Sequence, residues 1–213
     1  MDQLPRNPQT GRIQSVVVAI GHFGNFELYG RVGLFLPECV SATTYRGIKP
    51  EGLDRLLREL RTKSGCHYFE RREQGASLRA FMTKQSAILG LLVDQHGGDH
   101  GLRLPFLGQD ASTNPSAAIF ALRYNVPLVT AICYRVALGK WRIEVGPLIP
   151  TRNPGGTARS VVEITSDVNR ALEAGVVRDP ANWFWVHRRW KPASHRGRPR
   201  PPVDSILPSD SNG

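Results

Sequence analysis

SVVVAIGHFGNFE, residues 15–27, decides the fold. Val16 to Ile20 form an unbroken apolar run rich in β-branched side chains, the pattern of a strand buried on both faces, as in a parallel sheet. Gly21 to Gly24 then read as the turn at its carboxyl end, with Asn25 as the N-cap of a following helix. We place this strand over 14–20. Other apolar runs of strand length predict strands at 41–45, 66–70, 87–93, 127–134 and 141–145. They alternate with stretches of helical period, so the chain reads as an α/β domain whose mostly parallel central sheet is flanked by helices.

Two helices are well marked. From Pro50 to Lys63, Leu53, Leu56, Leu57 and Leu60 recur at amphipathic spacing, with proline at the start and Gly65 beyond the end. Arg61 borders that stripe, and spacing alone leaves it either solvated or directed along the surface toward a cleft. A second helix is expected from Ala158 to Val177, where Val161, Ile164, Val168 and Leu172 share a face. We divide the chain into a leader, 1–13, one domain, 14–191, and a Pro-, Ser- and Arg-rich disordered tail, 192–213.

Charge narrows the partners. Lys and Arg number 28 against 18 Asp and Glu, a net charge of +10. Nucleic acid, acidic headgroups and phosphorylated substrates all fit that balance. Cys39, Cys66 and Cys133 show neither a disulfide framework nor a metal-ligand spacing. No stretch approaches the roughly 18 apolar residues that cross a bilayer, and Met1 to Arg12 lacks the layout of a signal peptide. Gly97–Gly98 and Gly155–Gly156 follow no nucleotide-binding pattern and read as turns.

His22 and Glu27 lie at the predicted carboxyl edge, where open α/β sheets hold ligands. A carboxylate that accepts a hydrogen bond from one imidazole nitrogen fixes the tautomer and leaves the other nitrogen free to take a proton. A turn that folds back would let Glu27 do this for His22. The pair would then be a general base for a hydroxyl attacking an activated acyl group, with no serine or cysteine nucleophile. A capped helix start beside an unrelated histidine fits the same residues.

HFGNFE resembles the His-x-x-x-x-Asp/Glu motif of glycerolipid and glycolipid acyltransferases, and specifically that of the lipid A biosynthesis acyltransferases. TTYRGIKPEGLDRLLRELRTKSG, LLVDQHGGDHGLRLPFLGQDASTNPSAAIFALRYNVPLV and DPANWFWVHRRWK agree with that family in order and spacing, over roughly 14–191. The resemblance implies His22 as the base, Glu27 as its partner, Arg61 and Asp94 in the cleft, and Arg46 close by. Asp94 also suits the strand pattern, because VDQ ends an apolar run as GHF does. In WFWVHRRWK we expect the aromatics to anchor the segment and Arg188, Arg189 and Lys191 to face phosphate or headgroup, with His187 structural.

The resemblance implies transfer of a fatty acyl group from an acyl carrier protein or coenzyme A thioester to a hydroxyl of a lipid A-type glycolipid, without metal or resident cofactor. Expected partners are the acyl carrier protein, a phosphorylated glycolipid and the membrane surface, not nucleic acid. Members usually carry a membrane-spanning helix and a longer segment before the motif strand. This sequence has only Met1 to Gln14 there, so a truncated reading frame, a separate chain and a minimal peripheral form at the cytoplasmic face of the inner membrane all stand open. The alternatives are acylation of another glycolipid or aminolipid, and a noncatalytic remnant or partner subunit.

Overall fold

The computed structural model describes residues 4–9, 11–36, 38–45, 47, 49–70, 74–84 and 86–192. Its centre is β1, Val16–Ile20, buried along its whole length. Around it stand β2 (Val40–Tyr45), β3 (His67–Glu70), β4 (Ala87–Leu92), β7 (Leu128–Ala137) and β8 (Lys140–Val145), in the order β3-β2-β4-β1-β7-β8. β1, β2, β3, β4 and β7 run parallel, and β8 closes one edge antiparallel to β7. All six strands expected from the sequence are present, within a few residues at their ends.

Alternation along the central strands builds two cores. Val17, Ala19, Leu89 and Leu91 face α2 (Gly75–Lys84), α3 (Ser116–Tyr124) and α4 (Val161–Arg178), which cover one side of the sheet. Val16, Val18, Ile20, Ile88 and Ala131 face the other side, packed with Leu4, Ile13, Leu36 and Cys39. A 3₁₀ helix, Phe26–Phe35, crosses this second side and leaves part of it uncovered. The three cysteines are buried and unpaired.

Local chemistry sets several boundaries. α4 starts three residues later than expected, at a capping box in which Ser160 Oγ accepts from the Glu163 N–H and Glu163 accepts from the Ser160 N–H at 3.0 Å. α1, Glu51–Thr62, matches the predicted helix, but its leucine stripe is left largely uncovered. Leu53, Leu56 and Leu60 are about half exposed, and no side chain of α1 is fully buried. Only Leu57 and Arg61 turn into the uncovered side of the sheet. Of the tail expected over 192–213, residues 193–213 lie outside the described residues.

A hairpin of β5 (Leu102–Phe106) and β6 (Gln109–Thr113) escaped the sequence reading. Pro105 sits inside its first strand, and the two turn residues, Leu107 and Gly108, both take positive φ. Such a turn ordinarily uses Asn-Gly, so leucine at the first position hides the signal. Among the described residues no helix is long and apolar enough to cross a membrane.

Candidate active site

The site follows from strand register. Ile20 of β1 pairs with Leu92 of β4, and the ladder extends to a Val93 N–H donating to Ile20 O at 3.0 Å. His22 and Asp94 each stand two residues past that pair, at the carboxyl edge of neighbouring parallel strands. Their side chains meet there, His22 Nδ1 lying 2.7 Å from Asp94 Oδ1. The His22 backbone N–H also donates to Asp94 Oδ2 at 2.8 Å, and the Trp183 indole Nε1–H donates to the same oxygen at 2.8 Å.

Asp94 is 1% exposed. Burial pushes its carboxyl up, but the His22 ring, the His22 N–H and the Trp183 indole more than offset this and hold it below the ordinary value. An ionised Asp94 can only accept, so the Nδ1 nitrogen carries the proton. Nε2 is then the basic nitrogen of a ring that lines a cavity on the partly uncovered side of the sheet, with Phe26 packed edge-on at 4.7 Å between ring centroids.

This corrects the expected pairing. Glu27 is not the carboxylate on His22; its Oε1 accepts from Arg61 Nη2 at 3.0 Å instead. The chain beyond β1 enters a 3₁₀ helix, and Asn25 makes no side-chain cap there. Glu27 is thereby directed toward α1, while β4 supplies the carboxylate from the adjacent strand. Gly24 is needed for that path. It has φ +50, and a Cβ would come within 2.6 Å of the Cys133 carbonyl oxygen.

Glu27, Arg61 and Asp94 all reach the cleft region: Glu27 and Arg61 line the cavity with His22, and Asp94 lies behind the ring. Arg61 also lies over the Tyr68 ring at 5.7 Å. Arg46 falls outside the described residues. The cavity holds about 690 Å³, a size suited to a small ligand or a chain segment. One wall is apolar, built from Val18, Ile20, Val32, Ile88, Ala131 and Val145. Between Ile88 and Asp94 the wall runs roughly 20 Å, at about 3.3 Å per strand residue.

The C-terminal segment divides differently from expectation. Arg189 is completely buried, donating to Ser112 O and, at 2.9 Å, to Thr113 Oγ1, with its guanidinium 4.7 Å over the Phe106 ring. Burial pushes it down to about 10. It faces no headgroup. Trp183 is the residue whose role the sequence reading missed: it docks the segment as anticipated, yet also holds Asp94. His187 Nε2 accepts the His96 N–H at 2.7 Å, a structural contact. Among the described residues no group of three or more His, Cys, Asp or Glu is placed to hold a metal ion.

The bacterial lipid A biosynthesis acyltransferase family matches residues 9–192. The chain belongs to that family. Among curated proteins none is similar enough to count as a match. Family membership makes the chain an acyltransferase of the lipid A biosynthesis type, and the structure supplies the α/β fold with its six-stranded, mostly parallel sheet.

Proposed function

We propose that the protein transfers a fatty acyl group from an acyl carrier protein or coenzyme A thioester to a hydroxyl of a phosphorylated, lipid A-type glycolipid. The observation that carries this reading is the 2.7 Å contact between His22 Nδ1 and the buried Asp94 beside an apolar cavity. His22 Nε2 takes the proton of the acceptor hydroxyl as its oxygen attacks the thioester carbonyl. The tetrahedral intermediate then collapses, the C–S bond breaks, and the imidazolium returns the proton to the leaving thiolate. Asp94 stabilises the imidazolium and stays ionised.

The apolar wall along Val18, Ile20 and Ile88 receives the acyl chain, and the charged Glu27–Arg61 pair borders the same cavity as His22. Arg61 is the cation offered there to an acceptor phosphate or an acidic carrier. The net charge of +10 favours both anionic partners. The test is incubation with acyl carrier and coenzyme A thioesters plus membrane lipids, read by mass spectrometry. An acyl chain added by the wild type and missing with His22→Ala is the expected result. Equal product with both proteins removes His22 from the mechanism.

A further inference from the structure

Residues 183–191 alternate between anchors and exposed groups. Trp183 is tied to Asp94, Arg189 to Ser112 and Thr113, and the Trp190 indole to Phe106 O at 2.9 Å. Between these anchors Phe184 is 44% exposed, Trp185 49% and Val186 84%. The tip is fixed in place as well: the Phe184 backbone N–H donates to His22 O at 2.9 Å, and the Trp185 ring, edge-on to Trp183 at 4.7 Å between centroids, donates through its indole to Pro180 O at 2.7 Å while half of it stays exposed. The pinned segment leaves Phe184, one face of Trp185 and Val186 presented together, and consecutive exposed apolar groups mark a contact surface.

Two cations share the tip. Arg188 and Lys191 are exposed, and among the described residues neither has a carboxylate within ion-pair distance. Aromatic and aliphatic side chains interleaved with unpaired cations match a surface that is anionic outside and apolar beneath.

We infer that Phe184–Val186, with Arg188 and Lys191, form a docking tip that inserts into an anionic lipid surface and sets His22 at headgroup depth. This rests on the reading of His22 as the base for a lipid hydroxyl. Phe184 lies beside the ring, 6.3 Å between centroids, so insertion of the tip brings the imidazole to the layer where such hydroxyls lie. Trp185, Val186, Arg188 and Lys191 also border an open pocket with His96 and His187, and the mixture of exposed apolar side chains with cations that have no carboxylate partner among the described residues favours a lipid surface over a protein partner.

The experiment is co-sedimentation of the full chain with phosphatidylcholine vesicles, with and without phosphatidylglycerol, at low and high salt. The wild type is expected to bind the anionic vesicles and to be released by salt. Val186→Asp and the double variant Arg188→Glu/Lys191→Glu are each expected to weaken that binding at least tenfold, with unchanged thermal midpoints. Val186→Asp is expected to keep wild-type transfer to a detergent-dispersed acceptor. A wild type that stays in the supernatant with both vesicle types overturns the inference. So do variants that bind vesicles normally but lose affinity for an acidic carrier protein. If vesicle binding follows these residues while no thioester is ever consumed, the tip stands and only the acyltransfer mechanism falls.

Discussion

His22 and Asp94 stand at equal distance beyond the registered pair Ile20 and Leu92, and that register brings Nδ1 and Oδ1 to 2.7 Å. The dyad is thus held by two hydrogen-bonded strands of the sheet centre, whereas Glu27 sits on a 3₁₀ helix and pairs with Arg61. The two carboxylates are therefore expected to separate kinetically. Asp94→Asn presents the wrong tautomer and loses the counter-charge, so kcat is expected to fall about 10²- to 10⁴-fold with KM little changed. Glu27→Gln leaves the dyad intact and is expected to act on KM through Arg61. Steady-state kinetics with one thioester and varied acceptor distinguishes them; a matching kcat loss in both variants returns Glu27 to the role the motif suggested.

Trp183 touches the proposed dyad through Asp94. Its indole is one of three donors to a carboxylate that is 1% exposed, and Trp183→Phe keeps the ring while deleting the N–H. The variant is expected to lose about 1–3 kcal/mol of stability, the usual cost of an unmade hydrogen bond to a buried charged group. Denaturant midpoints measure that loss. A positioning role further requires kcat to fall while KM holds, and Trp183→Leu should show the same split with a larger stability loss.

Acidity should loosen the C-terminal segment first. Burial, opposed by the nearby Asp94 carboxylate but reinforced by the neighbouring Arg189, holds the His187 ring below its ordinary value of 6.5. A depressed folded value means the neutral ring is preferred in the native state, and that stabilisation is complete above the unfolded value. It is lost as pH falls below about 6.5, where the unfolded chain binds the proton first. Protonation also removes the acceptor that His187 Nε2 offers the His96 N–H. Stability measured from neutral to mildly acidic pH is therefore expected to decline, and His187→Gln, which keeps an acceptor, is expected to flatten the decline.

Much of this was written in local patterns, and the exceptions have physical causes. The apolar run Val16–Ile20 and its counterpart Ala87–Leu92 announce buried parallel strands because both faces of each must be apolar. Those same runs place His22 and Asp94 on one edge. Their pairing was not legible, because it depends on which strands are neighbours and in what register, and neither is a local property. A motif with histidine and glutamate close in sequence drew the partnership to Glu27 instead. The leucines of α1 show the opposite error: helical spacing gave the element, but an amphipathic stripe says nothing about whether a surface exists to cover it. In WFWVHRRWK, composition could not tell which arginine turns inward. That depended on the hairpin carrying Phe106, Ser112 and Thr113, whose Leu-Gly turn was itself concealed.

Arg189 gives the sharpest contrast between a cation for a ligand and a cation for the fold. Its guanidinium is planar over Phe106, and two nitrogens donate in fixed directions to Ser112 O and Thr113 Oγ1. Lysine cannot reproduce that fork, so Arg189→Lys is expected to destabilise despite keeping the charge. Arg189→Ala is expected to cost more, about 2–5 kcal/mol, because it empties a buried volume and removes the charged donor that the Ser112 carbonyl and Thr113 Oγ1 share. Neither change removes a surface charge. Vesicle binding of Arg189→Lys, measured where it remains folded, is therefore expected to match the wild type, while Arg188→Glu weakens it. Thermal midpoints and co-sedimentation on the same two preparations check both halves, and an Arg189→Lys protein with wild-type stability but reduced vesicle binding reverses the assignment.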